Sequence, residues 1–133
     1  MSLAIIDASV FAAFYAADDP RHSLVAQRLS TGDTLFAPAH LDVEIASALR
    51  GMARSNPRLD QIFPDALVHV AGFPIRRMPL PPLLNRAWEL RHNLTVCDAV
   101  YVALAERLDG VLVTCDGRLA NASGPRCSFD QIE

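Results

Sequence analysis

The feature that most constrains this chain is an arrangement used twice: a short apolar run that ends on an acid. Leu3-Ala4-Ile5-Ile6 is followed at once by Asp7, and Val111-Leu112-Val113-Thr114 is followed two residues on by Asp116. Runs this short and apolar, set among helical stretches, read as strands buried on both faces. That is the mark of a parallel sheet with helices above and below. Open sheets of this kind bind ligands in the crevice outside the carboxyl ends of their strands, and both acids fall there. An α/β chain with something held at one edge of its sheet is therefore expected.

The rest of the chain fits that frame. Helical patterns cover residues 8–17, 20–29, 40–54, 59–70, 81–91 and 97–108, and further short strands are expected over 34–37, 74–77 and 126–129. The helix over 40–54 carries an apolar stripe at Leu41, Ile45, Ala48, Leu49 and Met52. The one over 97–108 is apolar nearly all round until Glu106, as a buried helix is. Residues 116–121 read as a turn or short helix. No repeat or linker divides the chain, so 1–133 is expected to be a single domain.

Composition narrows the classes. A chain of 133 residues buries roughly two-thirds of its extended surface on folding, enough for a core without disulfides or a structural metal. Apolar residues are 51% and charged residues 20%, which excludes intrinsic disorder. The net charge is −3 and the chain has no Lys, so a simple basic nucleic-acid-binding module is disfavoured. A local Arg-lined groove is not. Three Cys at 97, 115 and 127 form no C-x-x-C pair, which fits reduced thiols in a cytoplasmic protein rather than a zinc motif. The N-terminus lacks a cationic segment and no run is long enough to span a membrane.

Two further acids interrupt apolar helical surfaces: Glu44, just before Ile45, and Asp98, in the first turn of the most apolar helix. Each acid has an ordinary reading. Asp7 suits a helix N-cap, Asp98 can pair with Thr95 as in a capping box, Asp116-Gly117 is a common turn, and Glu44 can be a solvated flank. Together they say more. If the strands are parallel neighbours, four carboxylates converge, and two of them about 5 Å apart repel by roughly 3 kcal/mol at an effective dielectric near 20. A divalent cation with oxygen ligands, Mg²⁺ or Mn²⁺, removes that cost. Such a centre is suited to phosphoryl transfer.

Four stretches carry a resemblance. Ile5-Ile6-Asp7-Ala8-Ser9-Val10, Leu41-Asp42-Val43-Glu44-Ile45-Ala46-Ser47-Ala48-Leu49-Arg50, Cys97-Asp98-Ala99-Val100-Tyr101-Val102-Ala103-Leu104-Ala105-Glu106 and Leu112-Val113-Thr114-Cys115-Asp116-Gly117-Arg118-Leu119 occur in this order across almost the whole chain. The pattern resembles a PIN domain, specifically a VapC-type toxin of a toxin–antitoxin pair. The resemblance implies a three-layer α/β/α sandwich around a parallel sheet and a Mg²⁺- or Mn²⁺-dependent endoribonuclease. It implies a catalytic quartet of Asp7, Glu44, Asp98 and Asp116, with Asp7, Asp98 and Asp116 holding metal. It also implies a homodimer and a VapB-type antitoxin whose tail approaches the acids. Thr114 matches a hydroxyl position beside the acids. One departure is that no further acid follows Asp116.

Ser9, Thr114, Arg50 and Arg118 are the candidates for RNA contact; Ser9 can equally bond local backbone. Arg50, Arg54, Arg58, Arg76, Arg77, Arg86 and Arg91 crowd the middle of the chain, as a phosphate-gripping rim or a solvated face. His40 stands one helical turn before Glu44, a spacing a metal pair would use, but a His near a helix start more commonly caps or faces solvent. Cys97 and Cys115 read as small core residues beside the acids. Phe11, Phe14, Tyr15, Phe63, Leu67 and Val70 read as core with some partner-facing surface. Two other phosphoryl-transfer readings fail on inspection: a haloacid-dehalogenase-type site wants an Asp where Ser9 stands, and a receiver domain wants a late Lys. A non-catalytic interaction module with the acids as caps stays open.

Overall fold

The structure is a computed structural model and describes residues 2–133. Strand β1 (Leu3–Ile6) leads into α1 (Ala8–Tyr15) and α2 (His22–Leu29), and β2 (Thr34–Pro38) into α3 (Leu41–Ser55) and α4 (Leu59–Ala71). Then come β3 (Arg76–Met78), a 3₁₀ turn at Pro81–Leu83, α5 (Leu84–Glu89), α6 (Val96–Leu108), β4 (Val111–Thr114), α7 (Gly117–Ala120) and β5 (Phe129–Gln131).

The five strands form one sheet in the order β3-β2-β1-β4-β5, with every neighbouring pair parallel. From β1 the chain builds outward through β2 and β3, then returns to lay β4 on the other side of β1. That reversal between β1 and β4 is the topological switch point, where the crevice of an open α/β sheet opens. Right-handed crossovers send the helices of the two halves to opposite faces. On one face α1 packs on α2 and α3, and α3 on α4; on the other α5 packs on α6, which lies over β1 and β2. The expected three-layer arrangement follows.

The core explains the central strands. Ala4, Ile5, Ile6, Leu112 and Val113 are fully buried and carry no polar group that would have to be satisfied between two helical layers. Helix α6 is buried continuously from Ala99 to Ala105, as its all-round apolar sequence requires. Ion pairs tie down the periphery: Arg77 grips Asp42 through two nitrogens at 2.9 and 3.0 Å, and Arg86 grips Glu106 at 2.7 and 3.1 Å.

Several boundaries differ from the expectation. The last strand is Phe129–Gln131 instead of 126–129, because Leu112 pairs with Phe129 and because the Arg126 N–H is taken by Glu106 Oε2 at 2.7 Å. The first helix stops at Tyr15, and the second begins at His22, past Pro20. The helix expected over 81–91 is divided: the Pro81-Pro82 start gives a 3₁₀ turn before α5. Arg77 and Arg86 serve the ion pairs above, so they do not belong to a free basic rim.

Candidate active site

The carboxyl edge of the β1–β4 pair places Asp7 opposite Thr114, one step beyond the Ile6–Val113 partners. Asp7 is 5% exposed, yet its carboxylate is well served. Oδ1 accepts from the Ser9 N–H (3.1 Å), the Ser9 hydroxyl (2.5 Å) and the Val10 N–H (3.4 Å); Oδ2 accepts from the Thr114 hydroxyl (2.6 Å). Asp7 is thus the N-cap of α1, as its ordinary reading held, and also the buried floor of the crevice. These roles are compatible, because a carboxylate has about four lone-pair positions. Burial raises its pKa from 3.8 to about 6 against the lowering pull of those hydrogen bonds, with the neighbouring Asp98 charge adding to the rise.

Asp98 and Asp116 line one cleft together with Asn93, Leu94, Thr95, Arg118 and Leu119. Asp98 sits in the first turn of α6, where the Thr95 cap accepts its backbone N–H at 3.1 Å. Half-burial raises its pKa, Thr95 opposes that, and the Asp116 charge adds to it. Asp116 caps α7 by accepting from the Arg118 N–H at 2.9 Å, and its own N–H donates to Thr114 Oγ1 at 2.9 Å. Glu44 reaches the same field from α3. Its pKa is raised chiefly by burial and further by Asp98, while Tyr101 and His40 lower it. The four acids therefore share one electrostatic neighbourhood at the switch point, where Arg118 and, when protonated, His40 supply countercharge to Asp98.

Of the residues expected to contact RNA, Arg118 is exposed and lines the cleft. Thr114 is fully buried and Ser9 partly buried. Both hydroxyls donate to Asp7, while Ser9 Oγ accepts from the Cys115 N–H at 2.9 Å and Thr114 Oγ1 from Asp116. Substrate contact by Thr114 is thereby corrected: with no exposed surface, it positions Asp7 and Asp116. The Ser9 hydroxyl does not bond local backbone either: it donates to the Asp7 carboxylate and accepts from the Cys115 N–H across the β1–β4 junction. Arg50 lines a separate apolar groove between α3 and α4 with Val43, Ala46, Ser47, Asp60, Phe63 and Pro64, apart from the acids.

Two residues gain importance from the tertiary structure. His40 occupies the N-cap position of α3 without capping it. Its Nε2 lies 3.3 Å from Glu44 Oε1 and 3.0 Å from the Cys97 carbonyl oxygen, and its ring rests on Tyr101 at 5.0 Å. The expected capping or surface role is replaced by a bridge from α3 to α6. Tyr101 is 1% exposed, and its hydroxyl, buried beside Glu44, has no hydrogen bond of good geometry among the described residues. Its signal in the sequence was faint: a polar hydroxyl inside the apolar run of α6. The reading of Cys97 as core is also corrected. It is exposed in the first turn of α6, before the buried stretch begins at Ala99. Its thiol pKa is raised, by burial and then by Glu44 and Asp98, so it is no ready thiolate.

An acid cluster of this kind fits a hard divalent cation. It offers carboxylate oxygens at the crevice, and the Asp7 carboxylate is held in a fixed orientation by four donors. Comparison with known proteins agrees with the fold. The family model described as PIN domain matches residues 4–125. Ribonuclease VapC12 of Mycobacterium tuberculosis is 42% identical over 113 residues, covering 85% of this chain and 87% of that protein. Ribonuclease VapC9 of the same organism is 35% identical over 128 residues, covering 96% and 97%. Among solved structures, the M. tuberculosis toxin VapC20, described as cleaving the sarcin–ricin loop, superposes with a TM-score of 0.68 at 22% identity, covering 87% of this chain and 92% of that one. The architecture and the acid-lined switch point thus define a PIN domain, and the chain belongs to the PIN family, in its branch of VapC ribonucleases. It is a hydrolase that acts on RNA, and ribonucleases of this kind depend on a metal ion. No helix among the described residues is long and apolar enough to cross a membrane.

Proposed function

We propose that this chain, as one PIN domain over residues 1–133, is the toxin of a cytoplasmic type II toxin–antitoxin pair. It hydrolyses RNA phosphodiester bonds at a Mg²⁺- or Mn²⁺-loaded centre built by Asp7, Glu44, Asp98 and Asp116. The observation that carries this reading is the buried Asp7, held by four donors at the switch point and within the field of Asp98, which lines a cleft with Asp116. Asp7, Asp98 and Asp116 hold the ion. When bound, it lowers the pKa of a water and stabilises negative charge on the phosphate. Ser9 and Thr114 keep both Asp7 oxygens in place, so little reorganisation is left for the reaction. Glu44 orients the attacking water, and its raised proton affinity suits it to take that water's proton. Arg118, exposed at the cleft, grips a phosphate of the RNA.

The partners are the RNA, a VapB-type antitoxin and a second copy of the chain. An antitoxin bound to the toxin has a precedent in the VapBC2 complex of Rickettsia felis on a promoter DNA fragment, whose chain superposes with a TM-score of 0.66 at 9% identity.

The test is cleavage of total RNA by the purified chain in Mn²⁺ or Mg²⁺, beside EDTA and the Asp98→Asn variant. Discrete fragments that need metal and vanish in the variant are expected. No cleavage together with no calorimetric Mn²⁺ binding would replace this reading with a non-catalytic module.

A further inference from the structure

The first turns of α3 and α6 bring a second, chemically different donor set to the flank of the acidic centre. A His40 ring nitrogen, a Glu44 carboxylate oxygen and the Cys97 sulfur lie within 4.8 Å of one another. We propose that His40, Glu44 and Cys97 form a site for a borderline-soft divalent cation, zinc foremost, which takes Glu44 from the catalytic centre and so inhibits the ribonuclease.

The donors choose the ion. Nitrogen, oxygen and thiolate sulfur suit Zn²⁺, whereas Mg²⁺ and Mn²⁺ prefer carboxylate, carbonyl and water. The spacing agrees. Tetrahedral Zn²⁺ with nitrogen and oxygen at about 2.0–2.1 Å sets those two atoms about 3.3 Å apart. His40 Nε2 and Glu44 Oε1 stand at 3.3 Å. The i,i+4 step puts both side chains on one face of α3, and Cys97, at the exposed start of α6, closes the triangle from across the gap. Three protein ligands leave a fourth position for water. Binding releases the thiol proton to solvent and replaces the present contact of Nε2 with the Cys97 carbonyl. The site shares only Glu44 with the acidic centre, so zinc is not a substitute for the catalytic ion but a competitor for one of its side chains. The inhibitory consequence rests on the reading of Glu44 as part of that centre; the binding does not.

The test titrates Co²⁺ and Zn²⁺ into the full chain and its Cys97→Ser, His40→Gln and Asp98→Asn variants. Native protein should develop a thiolate-to-cobalt charge-transfer band in the near ultraviolet. Cys97→Ser should lose the band and bind Zn²⁺ at least about tenfold more weakly, as expected when a ligand is removed. His40→Gln should weaken binding similarly, and Asp98→Asn should keep the band. Mg²⁺-dependent cleavage by Cys97→Ser should match native and resist zinc. Zinc binding that is equal in native and Cys97→Ser protein would overturn the site. So would a band that survives in His40→Gln at full affinity, which would leave only a surface thiol. The cobalt band is read without RNA, so absence of ribonuclease activity would break the reading of the acidic centre while leaving this result standing.

Discussion

The acids at the switch point and the acids around the rim of the fold live under opposite conditions. Glu106 is bound by two Arg86 nitrogens and by the Arg126 N–H, and its pKa is lowered by these partners against the cost of burial. Asp19, clasped by Arg21, is lowered in the same way. Asp7, Glu44 and Asp98 are all raised, by burial first, with a smaller contribution from a neighbouring carboxylate: Asp98 on Asp7 and Glu44, and Asp116 on Asp98. The rim acids have their cations supplied by the chain. The switch-point acids have hydroxyls and backbone N–H groups that orient them, but almost no positive charge. The same side chain is therefore a fastener in one region and a charge left without an ion-pair partner in the other.

The largest expected effect breaks this contrast at the centre. Asp98→Asn should reduce RNA cleavage by at least about a hundredfold, within the range for losing a group that acts in the transition state. It should leave the metal-free melting temperature unchanged or slightly higher, since a repelling charge is gone. Cleavage assays beside thermal melts decide this.

Next comes pH. The folded pKa of Asp7, about 6, lies above the unfolded value near 3.8, so the folded state binds more protons between them. Metal-free stability should accordingly fall as pH rises from about 4 to about 6, by up to roughly 3 kcal/mol. Melting in EDTA across that window should show the decline, and Asp7→Asn should flatten most of it. Glu106, with a lowered pKa, contributes in the opposite sense: its stabilisation is present above the ordinary carboxylate range and fades as pH falls below it. Adding Mn²⁺ at about a hundred times its Kd should restore about 2.7 kcal/mol at neutral pH, but not in Asp98→Asn.

A rim substitution gives the converse. Glu106→Gln should cost about 2 kcal/mol, as expected for charged hydrogen bonds lost from a mostly covered group. Cleavage per folded molecule should be unchanged, which denaturant melts and active-fraction assays together would establish. The smallest effect concerns Arg118→Ala, which should weaken RNA binding and lower its salt slope by about one. Arg50→Ala, in the groove away from the acids, should move that slope less.

The strands and the acids at their ends were legible from the sequence because a strand buried on both faces has no polar alternation to hide it. Asp7 after Ile6 and Asp116 after Thr114 needed only that pattern. The ordinary readings were legible too, and two of them hold: Asp7 caps α1 and Thr95 accepts the Asp98 N–H, while Asp116, read as part of a turn, caps the short α7. What local sequence does not contain is which strands are neighbours. β1 and β4 lie more than a hundred residues apart in the chain, and their pairing alone places Thr114 on Asp7.

The same limit explains His40, Cys97 and Tyr101. Each is unremarkable within its own helix, and they matter through a meeting of α3 with α6 that no periodicity encodes. The α/β alternation, the buried strands and the identity of the acids follow from hydropathy and from residue type at element ends, so they are local properties of the chain. Tertiary structure decided which groups face one another, which hydroxyls are buried out of reach of a substrate, and which carboxylates lack a cation. Those properties depend on distances through space, and only the closed sheet sets them.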